Sequence, residues 1–566
     1  MNRKNLILKS ASIVLLSLLF TSCGKVVDES EDTPKKDNII KDEPQTQKIP
    51  KLKEPDKYDL EYKELSFYEK VKPYSEYKLE LLSDSDFNSL SEENKLQVAN
   101  KLLETLFFGY EYNMLQQKID SGNFISTLKD NLNKNISNNE EIEEILADRE
   151  KFYYTTSDYV PLETNKILSR FYVMQNLDNH FLKHWISYIL TQTIMFSPAQ
   201  ELDSSQMPNI ASVYNRIFTS LKDEEGMRYM TYIHMMSEDN WRRFRSPEDN
   251  GREMFELYLN DLDDNKVPLA ARALQNWRLD RRSFTLVVGL NVNTKPIELF
   301  DTTIYSGDDF YRELVKSDKF AKGVTIRLVD FFFPNANSSK KSTIADTIVS
   351  SSPETWQDIL LQIIFSKEYL IHTNRAKSAE ESFFSLTKKI DYQHFRHTFN
   401  TFRGELEKMG QASMKYKLGK LDRVPLDTLS FVTYHTYIRN RVLLLASNSD
   451  YKDDYSSWSR RGWGSSFVDN KNFTFDESDE VKSLESFVNH IFLSTLSRKA
   501  YKKELDLFKN HMLKDAELTY PFDMFYSSED KQRELDRRLS YKKNIALVVL
   551  NYISRLDSLY LFKEVK

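Results

Sequence analysis

From residue 95 to residue 563 apolar side chains recur three and four positions apart in run after run, and little of the chain alternates as a sheet would need. In the first run Leu96, Ala99, Leu103 and Leu106 fall on one face before Gly109. That spacing predicts a helix, because such positions share a face only at 3.6 residues per turn. Ser89 followed by Glu92 has capping-box spacing at its start. Further helical runs are expected at about 111–133, 140–150, 161–196, 208–236, 247–260, 266–278, 308–333, 354–372, 376–410, 425–447, 478–515 and 528–563. Only 13 Gly and 15 Pro in 566 residues are present to interrupt them. The expected fold class is all-α, a multi-helix globular bundle with long loops and at most a minor β element. That element is expected at the β-prone run Phe284-Thr285-Leu286-Val287-Val288-Gly289-Leu290. No repeat of fixed period is visible.

The chain has one cysteine, Cys23, at the end of Leu18-Leu19-Phe20-Thr21-Ser22-Cys23-Gly24. Arg3, Lys4 and Lys9 precede an apolar stretch, Ile13 to Phe20, too short to span a bilayer comfortably. With the small pair Thr21-Ser22 before the thiol, this resembles the lipobox of a bacterial lipoprotein, with Phe20 where such boxes usually carry Leu, Val or Ile. Residues 1–22 read as a signal peptide, Cys23 as the lipidation site and membrane anchor, and 23–56 as a disordered tether of Lys, Asp, Glu, Pro, Thr and Gln. The helical main domain is expected over 57–447, a Ser-, Asp-, Asn- and Gly-rich excursion over 448–477, and a C-terminal helical segment over 478–566. Gly24 and Lys25 follow the thiol, with no aspartate of the kind that retains lipoproteins at the inner membrane. The outer membrane is therefore favoured.

An acylated Cys23 would leave the body without a free thiol, so disulfides, thiol catalysis, cysteine-held iron–sulfur clusters and c-type haem are all excluded there. Removing residues 1–22 takes away Arg3, Lys4 and Lys9 and no carboxylate, so net charge moves from −6 to −9. No basic stripe offers itself to nucleic acid. Neither a Gly-rich phosphate loop nor a Gly-x-Ser-x-Gly elbow is present, which disfavours familiar nucleotide enzymes and serine hydrolases. No cofactor or metal is expected.

In Ser246-Pro247-Glu248-Asp249-Asn250-Gly251-Arg252-Glu253-Met254-Phe255-Glu256-Leu257, Ser246 is placed to cap a helix, Pro247 to occupy its first turn, and Glu248 and Asp249 to face its positive end. Arg252 stands four residues from both Glu248 and Glu256, so it could bridge carboxylates along one face. The segment resembles the central signature of a bacterial secreted family, Domain of Unknown Function 1800, which runs approximately Asn-Glu-Asn-Tyr-Ala-Arg-Glu-Leu-Met-Glu-Leu. Arg252, Glu253, Glu256 and Leu257 match it. Ala271-Arg272-Ala273-Leu274-Gln275-Asn276-Trp277 resembles the family's Ala-Arg-Ala-Leu-Thr-Gly-Trp, and Gly226-Met227-Arg228-Tyr229-Met230 its Met-Leu-Arg-Tyr-Leu. Leu102 to Gly109 is similar to the family's opening Leu-Leu-x-Arg-x-Thr-Phe-Gly, and Met409-Gly410-Gln411 to its late Met-Gly-Gln. The ordered set covers about residues 95–445. The resemblance implies a fold and a secreted context but no reaction. At the places of the family's Trp-His-x-His segment and later His-Asp pair this chain has Leu190-Thr191-Gln192-Thr193 and Leu290-Asn291, so it is a divergent member without those histidines.

Four constellations are candidates for chemistry. Arg252, Glu253 and Glu256, with Arg272 and Trp277 on the next helix, could form an acid–base site in which an arginine orients a carboxylate; the same groups could be an ion-pair network tying two helices together. Asp391, His394 and His397 could ligate a metal or line a solvated face, and His180 and His184, beside Trp185, could do so or be core histidines. Trp458, Arg460, Arg461 and Trp463 could stack on sugar rings or clamp an anion, or pack a loop onto the body. The leading expectation is an envelope lipoprotein that binds or assembles with an exported protein or ligand. The rivals are a metal-assisted or acid–base hydrolase centred on Glu253 and Glu256, and a surface glycan- or nutrient-binding lipoprotein.

Overall fold

The computed structural model describes residues 79–134, 161–195, 210–280, 285–390, 402, 438, 480–509, 545–546 and 548–565. By its contacts the chain divides into 1–49 and 50–566, and every described residue belongs to the second unit. Cys23, the tether, Asp391, His394 and His397, and the excursion with Trp458, Arg460, Arg461 and Trp463 lie outside the described residues. The described part is mostly helical, with three two-stranded antiparallel ribbons.

The chain enters through α1 (Asp84–Ser89) and α2 (Glu92–Thr105). The cap of α2 is Ser91, whose hydroxyl accepts from Asn94 N–H; Ser89 instead ends α1, so the cap lies two residues later than expected and is a single bond rather than the Ser89–Glu92 box. From Leu96 onward α2 is buried on nearly every side, including its polar residues Asn100, Lys101, Glu104 and Thr105. Helices α3 (Tyr112–Asp120), α4 (Phe124–Asn133) and α5 (Pro161–Val173) follow. The run expected over 161–196 is broken at 174–178, where Asp178 caps a new helix, α6 (Asn179–Thr193).

All fifteen residues of α6 are buried, so it is the innermost helix of the described body. A helix buried all round needs its hydroxyls satisfied locally. Ser187, Thr191 and Thr193 donate to main-chain carbonyls of the preceding turn, and Trp185 Nε1 donates to the Thr105 carbonyl of α2 (2.8 Å). His180 and His184 are buried here against Phe218, so they are core histidines. Phe107, Phe171, Tyr188 and Phe384 meet edge-to-face and tilted around this helix, at 5.3–6.1 Å between ring centres.

Next come α7 (Ile210–Lys222), α8 (Met227–Met235), α9 (Glu238–Arg243) and α10 (Pro247–Met254). Ser246 caps α10 as its sequence predicts, and Pro247 sits in the first turn. A wider π-turn, Phe255–Leu259, ends at Asn260 in a left-handed conformation. The helix expected over 266–278 stops earlier, as α11 (Val267–Ala273). Asn276 takes φ +63°, and Trp277 starts β1 (Trp277–Leu279), which pairs with β2 (Leu286–Val288). Trp277 is thus on a strand, and β2 falls inside the predicted β-prone run.

After the β3–β4 hairpin (Ile297–Leu299, Thr302–Ile304) the run expected over 308–333 is two helices, α12 (Gly307–Lys316) and α13 (Asp318–Phe332), parted at Ser317. Along α13, Gly323 permits a close approach: a Cβ there would lie 2.3 Å from the Tyr258 carbonyl oxygen. Helices α14 (Ser338–Val349) and α15 (Trp356–Ile364) lead to a π-turn (Glu368–His372), β5 (Arg375–Ala376) and α16 (Ala379–Lys389). The later elements are α17 (Glu480–Leu496), α18 (Lys502–Phe508) and β6 (Leu561–Phe562). Strand β6 pairs with β5, and Lys377 N–H to Tyr560 and Val565 N–H to Ile371 fasten both its ends.

Candidate functional site

Two charged positions on the polar face of α2, Lys101 and Glu104, are buried, with exposures of 3 and 4 %. Charges so placed must be paired or must change protonation. Glu104 is paired twice: Oε2 accepts from Lys377 (2.8 Å), just after β5, and Oε1 from Lys389 (2.5 Å), at the end of α16. Burial pushes its carboxyl up, but the two ammonium groups outweigh burial and hold it below the usual carboxylate range.

Lys101 has no such partner among the described residues. Among the described residues its side chain makes one hydrogen bond, to the neutral Thr373 carbonyl (2.5 Å). Burial, and after it the positive charges of Arg375 and Lys377, bring the amine down to about 7, with Glu564 opposing. Its ammonium lies 5.6 Å from the centre of the Tyr369 ring and 6.0 Å from that of Phe562, and Arg375 and Lys377 share the Phe562 ring at 4.7 and 5.2 Å.

These groups border a cavity of about 130 Å³ between α2, β5, the C-terminal strand β6 and the end of α17. Lys101, Lys377, Arg498 and Lys563 line it with Glu104, Gln97 and Asn100; Leu496, Leu561, Phe562 and Val565 supply apolar wall. Tyr501, 62 % exposed, stands at the edge.

The arginines that buttress this region sit in two copies of one local motif. Arg375 grips Glu381 with both terminal nitrogens (2.8 and 2.6 Å), donates to the carbonyl of the next residue, and Glu381 also accepts from Ser378 N–H at the start of α16 (2.7 Å). Arg498 grips Glu504 in the same way (2.8 and 2.9 Å), donates to Lys499 O, and Glu504 accepts from Tyr501 N–H at the start of α18 (2.7 Å). In each copy an arginine precedes a helix cap by three residues and its carboxylate by six. Bidentate pairing and N-terminal capping thus use one glutamate. Both were legible as Arg-x-x-(Ser/Tyr)-x-x-Glu, and the sequence reading missed them because the two copies are not a fixed-period repeat. Lys101 and Glu104 left no such trace: the periodicity of α2 sets them, with Gln97 and Asn100, on the face opposite Leu96, Ala99 and Leu103, where solvent would be expected.

The carboxylate site expected from sequence is assembled differently. Arg252 is exposed and lies 3.9 Å from Glu248 and from Asp264; it does not bridge to Glu256, whose recorded contact is its main-chain carbonyl, accepting from Arg327 (2.8 Å). The π-turn that begins at Phe255 rotates Glu256 out of the α-helical four-residue register. Arg272, also exposed, donates to Pro296 O (3.0 Å), while Trp277 is buried against Trp241 and Tyr311 (6.1 and 6.0 Å between ring centres). Arg252, Arg272 and Trp277 therefore form neither a joint site nor a sealed network with the carboxylates. Glu253 keeps one property of an acid: burial, then the charges of Glu256 and Asp249, push its half-buried carboxyl up to about 7 against the pull of Arg243 and Arg327. Among the described residues no group of three or more His, Cys, Asp or Glu side chains is placed to hold a metal ion.

Set against family models, curated proteins and solved structures, the chain matches none. The resemblance to Domain of Unknown Function 1800 rests on the quoted segments.

The two buried charges of α2 should respond oppositely to removal. Glu104→Gln leaves Lys377 and Lys389 buried around a neutral group and should cost about 3 to 5 kcal/mol. Lys101→Met removes an ammonium that burial disfavours and, in anion-free buffer, should stabilise by about 1 to 3 kcal/mol. Because the folded-state lysine titrates near 7, far below its unfolded value, the penalty it imposes is complete below pH 7 and fades as pH rises toward the ordinary lysine range. Urea unfolding of the three proteins at pH 6 and above pH 9 measures both effects. A Lys101→Met gain that does not shrink with rising pH would contradict the assignment.

Proposed function

We propose that the protein is a cell-envelope lipoprotein, anchored through acylated Cys23 with the outer membrane favoured, whose helical body binds a small anionic ligand in the cavity beside α2. The observation that carries this reading is Lys101, a buried cation facing a cavity without a carboxylate of its own. The other cations of the lining are matched: Lys377 by Glu104, Arg498 by Glu504 and Lys563 by Asp557. An anion in the cavity would supply the missing charge and accept the remaining N–H bonds of the ammonium. At roughly 10–15 Å³ for each water molecule the cavity takes on the order of ten non-hydrogen atoms, the size of a small organic acid or phosphate. Apolar wall from Phe562 and Leu561 suits a ligand with a short carbon skeleton. Among the described residues no helix is long and apolar enough to cross a membrane, so the anchor in this reading is the lipid. An exported protein carrying an exposed carboxylate remains compatible as the ligand's bearer.

A second reading is supported by Glu253. A carboxyl that titrates near 7 beside ionisable Glu256 is the arrangement of a general acid with an auxiliary carboxylate, and it would make the protein an acid–base hydrolase.

Calorimetry and thermal melts of the full-length lipoprotein in detergent at pH 6.5, against mono- and dicarboxylates, sulfate and phosphate, test the binding reading. Low-millimolar or tighter binding that Lys101→Met weakens about tenfold or more at this pH is expected; a folded protein that no anion stabilises would end it. For the anchor, the chain produced in a Gram-negative host should incorporate an alkyne-tagged palmitate and sediment with outer membranes, and Cys23→Ala should lose both. The hydrolase reading expects turnover of some nitrophenyl ester, glycoside or phosphate, slowing as pH rises through 7 because the acid form is lost. Equal rates for wild type and Glu253→Gln would exclude it.

A further inference from the structure

Resting on the anion-binding reading, we infer that the cavity takes up its anion together with a proton, and that Lys101 is the group that receives it. The inference starts from the charges that face Lys101 on every packed element. On α2 there is Glu104; from β5 and the residues after it come Arg375 and Lys377; from α16, Glu381 and Lys389. The C-terminal segment contributes Asp557, Lys563 and Glu564, and the α17–α18 corner Arg498, Tyr501 and Glu504. Arg375 is neutralised by Glu381, Arg498 by Glu504 and Lys563 by Asp557. Lys377 and Lys389 share the single carboxylate of Glu104, so Glu104 has no charge left over to offer Lys101. Glu564, the remaining carboxylate within electrostatic reach, is 57 % exposed and turned toward His372 at 4.0 Å, where water screens it.

Lys101, itself 3 % exposed, therefore sits beside further cations with no carboxylate left for it among the described residues. Two aromatic faces, Tyr369 and Phe562, offer it weak compensation, and Arg375 and Lys377 compete for the second. In the empty cavity at neutral pH and above, the low-energy state is the neutral amine, consistent with a titration near 7. An anion beside Nζ reverses the balance: it pairs with an ammonium and repels a lone pair. Binding is then A⁻ + H⁺ + amine going to A⁻ with ammonium, with the proton drawn from solvent and no bond to carbon formed or broken. Reciprocity follows, so that raising the pH expels the ligand and the ligand raises the lysine's affinity for its proton. The cavity would load under mildly acidic conditions and unload under alkaline ones.

The test uses the full-length protein in detergent with sulfate and succinate, neither of which titrates between pH 7 and 9. Affinity should fall about fiftyfold over those two units, approaching tenfold per unit at the alkaline end. Titrations at pH 8 in buffers of different ionisation enthalpy should report uptake of about one proton per anion. Lys101→Met, melting no lower than wild type, should abolish both the steep pH dependence and the uptake. Anion binding that is flat with pH overturns the proton coupling and leaves the binding reading intact. The same steep profile in Lys101→Met overturns the assignment to Lys101. Absence of anion binding at every pH, with the protein folded, overturns both.

Discussion

The three-way ion pair of Glu104 with Lys377 and Lys389 ties together parts of the chain that lie more than 270 residues apart. Each of its charges would be prohibitively costly if buried alone, so the three elements that carry them are acceptable only when all are in place. Apolar packing tolerates small slips along a helix, whereas a buried carboxylate with two partners at 2.5–2.8 Å does not. The cluster therefore sets the register of α2 against β5 and α16. Gly109 lets the segment after α2 approach closely, since a Cβ there would lie 2.5 Å from the Ser385 carbonyl oxygen of α16.

Around this cluster the two arginine motifs act as corner braces. Each turns the chain from one helix into the next while satisfying the N-terminal amides of the second with the carboxylate that holds the arginine. Because guanidinium groups stay charged at any physiological pH, the braces are insensitive to protonation. Lys101 between them is not. A pH-responsive cavity framed by pH-insensitive corners separates the part of the structure that responds from the part that holds shape. The β5–β6 pairing closes the arrangement from the C-terminal side and brings Phe562 over the cations.

Lys101 and Glu253 depart from what stability alone would select, one a buried lysine without a carboxylate partner among the described residues, the other a half-buried carboxyl among like charges. Perturbed groups of this sort concentrate at functional sites, although structural networks produce them too. What distinguishes them here is surroundings. Lys101 faces a cavity lined by further cations, whereas the partners expected around Glu253 are directed elsewhere: Arg252 to solvent-exposed Glu248 and Asp264, Arg272 to Pro296 and Trp277 into an aromatic cluster. The departure at Glu256 comes from the π-turn, which offsets by one residue the register that four-residue spacing assumes.

Much of the local structure was legible in the chain itself, because helix periodicity, caps and breakers act over a few residues. The all-α class, the cap at Ser246 with Pro247 behind it, and the strand at Leu286–Val288 all follow from such short-range physics. Where neighbouring signals compete, local rules mislead: Ser91 rather than Ser89 caps α2, and Asn276 in a left-handed turn sends Trp277 into a strand. The cavity belongs to another level. Periodicity puts Lys101 on the polar face of α2, and its burial beside further cations depends on Thr373, Lys377, Phe562 and Arg498, which only folding brings to it. The sequence determined the helical class and the local caps and breakers. Tertiary structure decided which charges find partners, because electrostatic pairing depends on distance in space and on the water that packing excludes.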